Sequence, residues 1–191
     1  MTLLPARRAV VLATLAAAFA APAFAQQKLV PAQSEVSFTS KQMGVPVDGK
    51  FRKFDAQVAF DPKKPEAAKI AITIDLASVS LGSPESEGEL VKQPWFDTKK
   101  FPQASFQSTG VKATGPGRFD VAGKLNIKGN PRDIVVPVAL AQAGGTTTAT
   151  GAFTIKRLDF KIGEGEWTDT SMVANDVQVK FKLALTGIGP L

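Results

Sequence analysis

Apolar and polar side chains alternate one by one along most of this chain, and this two-residue period is what most constrains its fold. In residues 177–185, for example, Val177, Val179 and Phe181 alternate with polar residues. Successive side chains of a β-strand point to opposite faces of the sheet, so each such segment is predicted to be a strand with one buried face. Turns containing Gly and Pro separate the segments, which predicts antiparallel pairing of consecutive strands.

Eight strands are predicted in this way, together with a single short helix. The strands cover residues 35–43, 47–60, 69–76 and five further segments between residues 104 and 185. The helix is expected over residues 83–93, because Ser83 suits an N-cap and Pro84 suits the first helical position. The predicted fold class is all-β, an antiparallel eight-stranded barrel with one short surface helix. A sandwich of two sheets is the alternative.

The preference for a barrel rests on positions where strands are expected to bend. Within residues 47–60 the apolar positions change from odd to even near Arg52-Lys53, which indicates a bulge. Gly49, Gly123 and Gly151 lie inside predicted strands, where tight bends are made. Small inward residues of this kind predict unfilled volume. An eight-stranded barrel either fills itself with side chains or encloses one small ligand, and the residues leave both outcomes open.

The first 25 residues have the three parts of a secretory signal peptide. Arg7 and Arg8 provide the positive region, residues 9–21 form an apolar run, and Ala23-Phe24-Ala25 matches an A-x-A cleavage site. We therefore predict cleavage after Ala25, a mature domain over residues 26–191, and location in a bacterial periplasm.

Composition excludes several classes of function. The chain contains no His, Cys or Tyr, which removes histidine proton transfer, thiol nucleophiles and His or thiolate metal sites. The formal net charge is +6, but the Lys and Arg residues are spread along the chain, so no nucleic-acid partner is expected. Loop carboxylates at Glu164, Glu166 and Asp169 are the remaining catalytic candidates, and such residues are usually solvated. We predict a protein that is not an enzyme and that needs no cofactor or metal.

The end of the strand that begins at Gly151 is the candidate site. Arg157 and Asp159 follow that strand, and large rings and an acidic loop come next. Arg157, paired with Asp159, is expected to meet a polar or anionic ligand head. The alternative is a structural ion pair, with Trp167 as a plug over the core. Aromatic residues of several strands complete the predicted ligand-binding set: Phe38, Phe51, Phe54, Phe106, Phe153, Arg157, Asp159, Phe160 and Trp167.

An ordered set of motifs resembles the YceI-like family. The motifs are S-x-V-x-F at 34–38, V-x-G-x-F-x-x-F at 47–54, F-D-P at 60–62, W-F-D-x-x-K-F-P-x-A-x-F at 95–106, V-x-G-x-L-x-I-x-G at 121–129, R-x-D-F-x-I-G at 157–163 and the GEGEW loop. The W-F-D and GEGEW motifs resemble the branch associated with cytochrome b561-type membrane proteins. The resemblance implies a lipocalin-like periplasmic barrel that holds a long isoprenoid in an apolar tunnel. It implies no catalytic residues.

Two functions follow as hypotheses. The first is a lipid-binding protein that stores or transports a polyisoprenoid or quinone-like amphiphile. The second is an interaction module without a ligand, docking on a membrane redox partner such as a b-type cytochrome. In that case the Trp95-Phe96 pair and the 164–167 loop would form the contact patch. Exposed aromatics of this kind are also compatible with a homodimer.

Overall fold

The computed structural model describes residues 27–191, so the predicted signal peptide and its cleavage site lie outside the described residues. Strands account for most of the described part, joined by short turns and 3₁₀ segments. The elements are β1 (Lys28–Leu29), β2 (Glu35–Gln42), β3 (Val45–Phe51), β4 (Phe54–Ala59), β5 (Lys69–Asp75), β6 (Val79–Ser80), α1 (Pro84–Leu90), β7 (Gln103–Gly115), β8 (Arg118–Ile127), β9 (Asn130–Ala143), β10 (Thr146–Lys156) and β11 (Asp176–Thr186), with 3₁₀ helices at Pro31–Gln33, Pro65–Ala67, Leu76–Ser78, Arg157–Phe160 and Gly165–Thr168.

All of these strands belong to one antiparallel sheet, which confirms the predicted fold class. The hydrogen-bonded order is β4-β5-β7-β8-β9-β10-β11-β2-β3-β6, and β1 pairs with β11. Strands β3 and β4 lie near opposite ends of this order, yet only Arg52 and Lys53 separate them in sequence. The sheet must therefore curl until its ends meet, which gives it the shape of a barrel.

The predicted number of strands was too low. The described residues form eleven strands, because residues 47–60 divide into β3 and β4 and because β1 and β6 have only two residues each. The division falls where the bulge was predicted. There the amide of Arg52 donates to the carbonyl of Ser78 (3.0 Å) and the amide of Lys53 donates to Ser78 Oγ (3.0 Å). Counting β3 and β4 as one bent strand leaves eight long strands around the barrel.

Helix α1 is the predicted surface helix, and it ends at Leu90. Ser83 caps its first turn through a hydrogen bond from the amide of Ser86, and no residue of the helix is buried. Glu87 fastens the helix to the preceding loop. Its Oε1 accepts hydrogen bonds from the amides of Leu81 (2.9 Å) and Gly82 (3.1 Å). Within residues 27–191, no helix has the length and apolar character required to span a membrane.

Phenylalanine rings lie against Gly49, Gly123 and Gly151, the three glycines expected to mark bends. A Cβ atom added to any of these glycines would come within 2.4 Å of a ring carbon, which is far closer than carbon atoms approach. Rings therefore occupy the space directly beside these glycines, and the unfilled volume lies elsewhere in the interior. The tip of each ring packs against its glycine. The pairs are Phe38 with Gly49, Phe106 with Gly123, and Phe181 with Gly151.

Candidate ligand-binding site

The interior of the barrel contains two adjoining cavities. The larger has a volume of about 330 Å³ and the smaller about 150 Å³. The larger alone lies within the range of about 300–1,000 Å³ that is usual for small-molecule sites. The cavities share five lining residues, so they lie next to each other in the interior. The shared residues are Val36, Ile74, Leu125, Phe153 and Val179.

The smaller cavity has walls made only of apolar residues. Most of them are inward positions of β4, β5, β8, β9 and β11, and they are aliphatic side chains with the rings of five Phe residues. No hydrogen-bonding side chain lines this space among the described residues. A polar group placed there would lose its water without gaining a partner, at a cost of roughly 1–3 kcal/mol or more. This part of the interior therefore suits hydrocarbon.

The larger cavity is apolar along most of its length and polar at one end. Ser40 and Gln42 come from the end of β2, and Ser86 and Glu89 come from α1. Gln42, Ser86 and Glu89 are exposed, so the cavity reaches the surface here. We call this end the mouth. An apolar interior with a polar mouth matches an amphiphile whose chain lies inside and whose head stays near water.

Arg157 lies beside the larger cavity and is only 1% exposed. Its guanidinium bonds exclusively to backbone carbonyls among the described residues. Nε donates to Ala174 (3.1 Å), and Nη2 donates to Trp167 (2.6 Å) and Val173 (2.7 Å). Nη1 completes the set with bonds to the carbonyls of residues 162 and 163. An arginine has five N–H donors, and all five are used.

These bonds correct the predicted Arg157–Asp159 pair. Asp159 is exposed, and no salt bridge among residues 27–191 involves Arg157. Burial lowers the pKa of Arg157 from its ordinary value, although an arginine remains charged near neutral pH. With every donor occupied, the guanidinium has none left for a ligand head. Its role is to hold the 162–174 segment against the end of the barrel.

A buried lysine that the sequence did not single out holds the same region. Lys128 is 6% exposed, and its Nζ donates to the carbonyls of Gln93 (2.7 Å) and Lys161 (2.8 Å) and to Glu164 Oε2 (2.7 Å). Three donors meet three acceptors, so this ammonium is fully satisfied. The only sequence signal for Lys128 is its place directly before Gly129, in the turn that joins β8 to β9.

The two tryptophans pack together near the segment that Arg157 and Lys128 hold. The rings of Trp95 and Trp167 lie 5.4 Å apart between centroids, and both line the larger cavity. Phe96 is only 8% exposed, so the predicted Trp95-Phe96 docking patch does not exist as an exposed pair. Docking on a b-type cytochrome and homodimer formation stay predictions.

The structure brings together six of the nine predicted ligand-binding residues. Phe38, Phe51, Arg157 and Trp167 line the larger cavity, Phe106 lines the smaller one, and Phe153 lines both. The other three lie outside both cavities. Phe54 packs on a core cluster with Val36, Phe160 is a core residue with 2% exposure, and Asp159 faces solvent. Ligand contact by the six cavity residues stays a prediction.

The loop carboxylates do not form a metal site. No group of three or more His, Cys, Asp or Glu residues in the described part of the chain is placed to hold a metal ion. Glu164 is paired with Lys128, and Glu166 is exposed. Asp169 accepts hydrogen bonds from the hydroxyl (2.7 Å) and the amide (2.8 Å) of Ser171, and these bonds lower the pKa of Asp169.

Comparison with known proteins identifies the family. The model of the YceI-like domain matches residues 27–185, nearly all of the described chain. The chain belongs to the YceI-like family. Two relatives are UPF0312 proteins. That of Azotobacter vinelandii is 38% identical over 88 residues, 46% of each chain. That of Ectopseudomonas mendocina is 32% identical over 120 residues, which is 60% of this chain and 63% of the relative. The chain thus covers less than two thirds of these relatives.

Solved structures share the YceI-like fold. BcnA of Burkholderia cenocepacia is 46% identical, with a TM-score of 0.80 over 82% of this chain and 99% of that one. The YCEI protein of Campylobacter jejuni is 25% identical, with a TM-score of 0.67 over 72% and 83%. A polyisoprenoid binding domain from Saccharophagus degradans is 18% identical, with a TM-score of 0.69 over 84% and 98%, and this last likeness shows the fold alone. The association with b561-type cytochromes stays a prediction.

Proposed function

We propose that this YceI-family protein binds a long-chain amphiphile, with the apolar chain inside the barrel and the head at the mouth. The observation that carries the proposal is the pair of adjoining apolar cavities, of which only the larger has polar side chains. A solved domain with the same fold is a polyisoprenoid binding domain, which makes an isoprenoid chain the first candidate. Binding, and not catalysis, is the activity proposed.

The mouth favours an uncharged head. Arg157 is the sole cation that lines the larger cavity among the described residues, and its donors are already used. Glu89 at the mouth is paired with Lys92, so this pair adds no net positive charge for an anion. Gln42 and the hydroxyls of Ser40 and Ser86 can instead hydrogen-bond carbonyl or hydroxyl oxygens. A quinone or alcohol head therefore suits the mouth better than a phosphate.

Storage or transport in the periplasm is the setting that we propose for this activity. The N-terminal sequence supports export, and the absence of Cys means that the fold needs no disulfide in an oxidising compartment. A carrier without catalytic groups would exchange its ligand with another compartment or protein by reversible binding. While the ligand is bound, the apolar interior would shield its hydrocarbon chain from water.

Native mass spectrometry of protein purified without detergent tests the proposal. We expect an adduct that organic solvent releases, and we expect the emptied protein to take up a polyprenyl quinone in preference to a polyprenyl phosphate of equal chain length. Saturation at 100 times the Kd should stabilise the fold by about 2.7 kcal/mol. Failure to take up either lipid would contradict the proposal.

A pair of variants on one strand locates the ligand. Val179 lines both cavities, whereas Lys180, its neighbour on β11, is exposed on the opposite face. Val179→Trp should block uptake, because the indole occupies the space at which the cavities join. Lys180→Trp should bind as the unmodified protein does. Equal uptake by the two variants would place the ligand somewhere other than the barrel interior.

A further inference from the structure

Three exposed apolar side chains lie together beside the mouth. Met43 is 68% exposed, Val45 64% and Met172 43%, and these are three of the five exposed large apolar residues in the described part of the chain. Met43 belongs to the turn between β2 and β3, Val45 is the first residue of β3, and Met172 belongs to the loop before β11. The amide of Met43 donates to the carbonyl of Met172 (2.8 Å), which holds the turn and the loop together. We call these three residues the apolar tip.

The turn that carries Met43 is an unusual place for methionine. Met43 and Gly44 have φ values of +48° and +80°, as a two-residue type I′ hairpin requires, and Gln42 pairs with Val45 on either side. Asn, Asp and Gly adopt positive φ with least strain, whereas a long side chain is uncommon there. The chain thus has a large apolar side chain at a position where a polar residue would fold more easily. Lys128 also has a positive φ but is buried and bonded within the protein, whereas the Met43 side chain is 68% exposed and available for contact outside the molecule.

The apolar tip is continuous with the mouth of the larger cavity. Gln42 and Val47, on either side of the turn, line that cavity, as does Val173 next to Met172. Gln42 and Val173 also form a β-bridge, so turn, loop and mouth form one surface. A lipid that leaves the mouth at this place meets the apolar tip first.

The charge of the hairpin fits a phospholipid surface. Between Val36 and Val47 the single charged residue is Lys41, which is exposed. Asp48 accepts a hydrogen bond from Thr39 (2.6 Å) and Asp169 accepts two from Ser171, so both carboxylates are held on the protein and keep their negative charge. Apolar side chains with one adjacent lysine can enter the headgroup region, with the ammonium near lipid phosphates.

We infer that the apolar tip inserts into the surface of a phospholipid bilayer and so places the mouth of the cavity against the membrane. The inference rests on the proposed function, because a bilayer is where a long-chain amphiphile resides when it is outside the protein. Contact at the tip would let the chain slide between hydrocarbon and barrel without crossing water. The small area of the tip predicts reversible docking, as expected of a carrier.

Sedimentation with vesicles tests the inference. The vesicles are phosphatidylcholine, alone or with phosphatidylglycerol, and the tip variant is Met43→Asn with Met172→Gln. Asn suits the positive φ of the turn, so this variant should fold at least as well as the unmodified protein. We expect its partitioning to fall by about tenfold or more, because two inserted side chains become polar. The matched control is Val135→Ser on β9, where the valine is 60% exposed, and it should sediment like the unmodified protein.

Several results would overturn the inference. These are equal sedimentation of the tip variant and the unmodified protein, an equal loss in Val135→Ser, or a vesicle-free dimer that the tip variant dissociates in light scattering. The last would make the tip an interface between two copies. Uptake of a polyprenyl quinone from dilute detergent is measured in parallel. Uptake without vesicle binding rejects the docking alone, whereas vesicle binding through the tip without uptake rejects the proposed function alone.

Discussion

Replacing Gly49 with Ala should narrow the larger cavity without breaking the wall. The new Cβ would lie 2.3 Å from Cζ of Phe38 and 2.7 Å from Cδ2 of Leu81. Carbon atoms in contact stay about 3.5–4.0 Å apart, so the tip of the ring must retreat by more than ~1 Å. Both neighbours are side chains that line the larger cavity, and the three closest atoms include no backbone. The displaced groups therefore move into the space that the ligand is proposed to occupy.

The size of the effect follows from the cost of overpacking, which is about 1–3 kcal/mol. If ring and ligand compete for the same volume, this energy reappears as weaker binding, by about 5- to 150-fold. Titration with a polyprenyl quinone, followed by quenching of Trp95 and Trp167 fluorescence, measures it. Gly110→Ala is the control, because Gly110 lies in β7 with no atom within 4 Å of the added Cβ. Unchanged affinity in Gly49→Ala, with unchanged stability, would refute the reasoning.

Three further predictions concern the groups that hold the mouth. Arg157→Lys leaves three donors for five carbonyls. Unfolding in guanidinium chloride should therefore show a free energy of unfolding lower by about 2–5 kcal/mol, and a decrease of less than about 1 kcal/mol would argue against the bonding described. Hydrogen bonding, first from the amide of Leu81, lowers the pKa of Glu87 in the folded protein. The ionised carboxylate therefore stabilises the fold at neutral pH, and this stabilisation is lost as the pH falls from the unfolded-state pKa of about 4.3 through the lower pKa of the folded state. Glu87→Gln should therefore flatten the acid limb of the stability curve, and an acid limb as steep as that of the unmodified protein would count against it. Lys128→Met should speed proteolysis in the 161–175 segment, whereas Lys124→Met, which removes an exposed ion pair, should not.

The wall of the barrel was predictable from the sequence because its cause is local. Each strand has one face toward the interior and one toward water, so the two-residue period marks it directly. The strand predicted at 177–185 is Asp176–Thr186 in the structure, and the break in the strand predicted at 47–60 falls at Arg52-Lys53 as the shift in period indicates. The strand count was wrong because a two-residue strand has no period to detect.

The bonding at the mouth was not predictable because its partners are backbone atoms. Asp159 is the nearest opposite charge to Arg157 in the sequence, which made an ion pair the natural expectation. The carbonyls that Arg157 actually binds belong to a loop extending to Ala174, and a carbonyl has no sequence signature. Lys128 was missed for the same reason. Phe96 was predicted to be exposed because it lies outside the strands and the helix, where no alternation of apolar and polar residues marks a buried side.

The pairing of β2 with β11 has a consequence for how the chain reaches this state. The amide of Ala184 donates to Ser34 Oγ (2.9 Å) across 150 residues of sequence. Translation releases β2 long before its partner β11, which is the last of the described strands. Until then β2 and β3 can form a hairpin, but the outer edge of β2 remains open to pairing with other chains. Such distant pairing is typical of slow folding, over milliseconds to seconds. The unfinished chain therefore carries an aggregation-prone edge that its own C-terminus eventually covers.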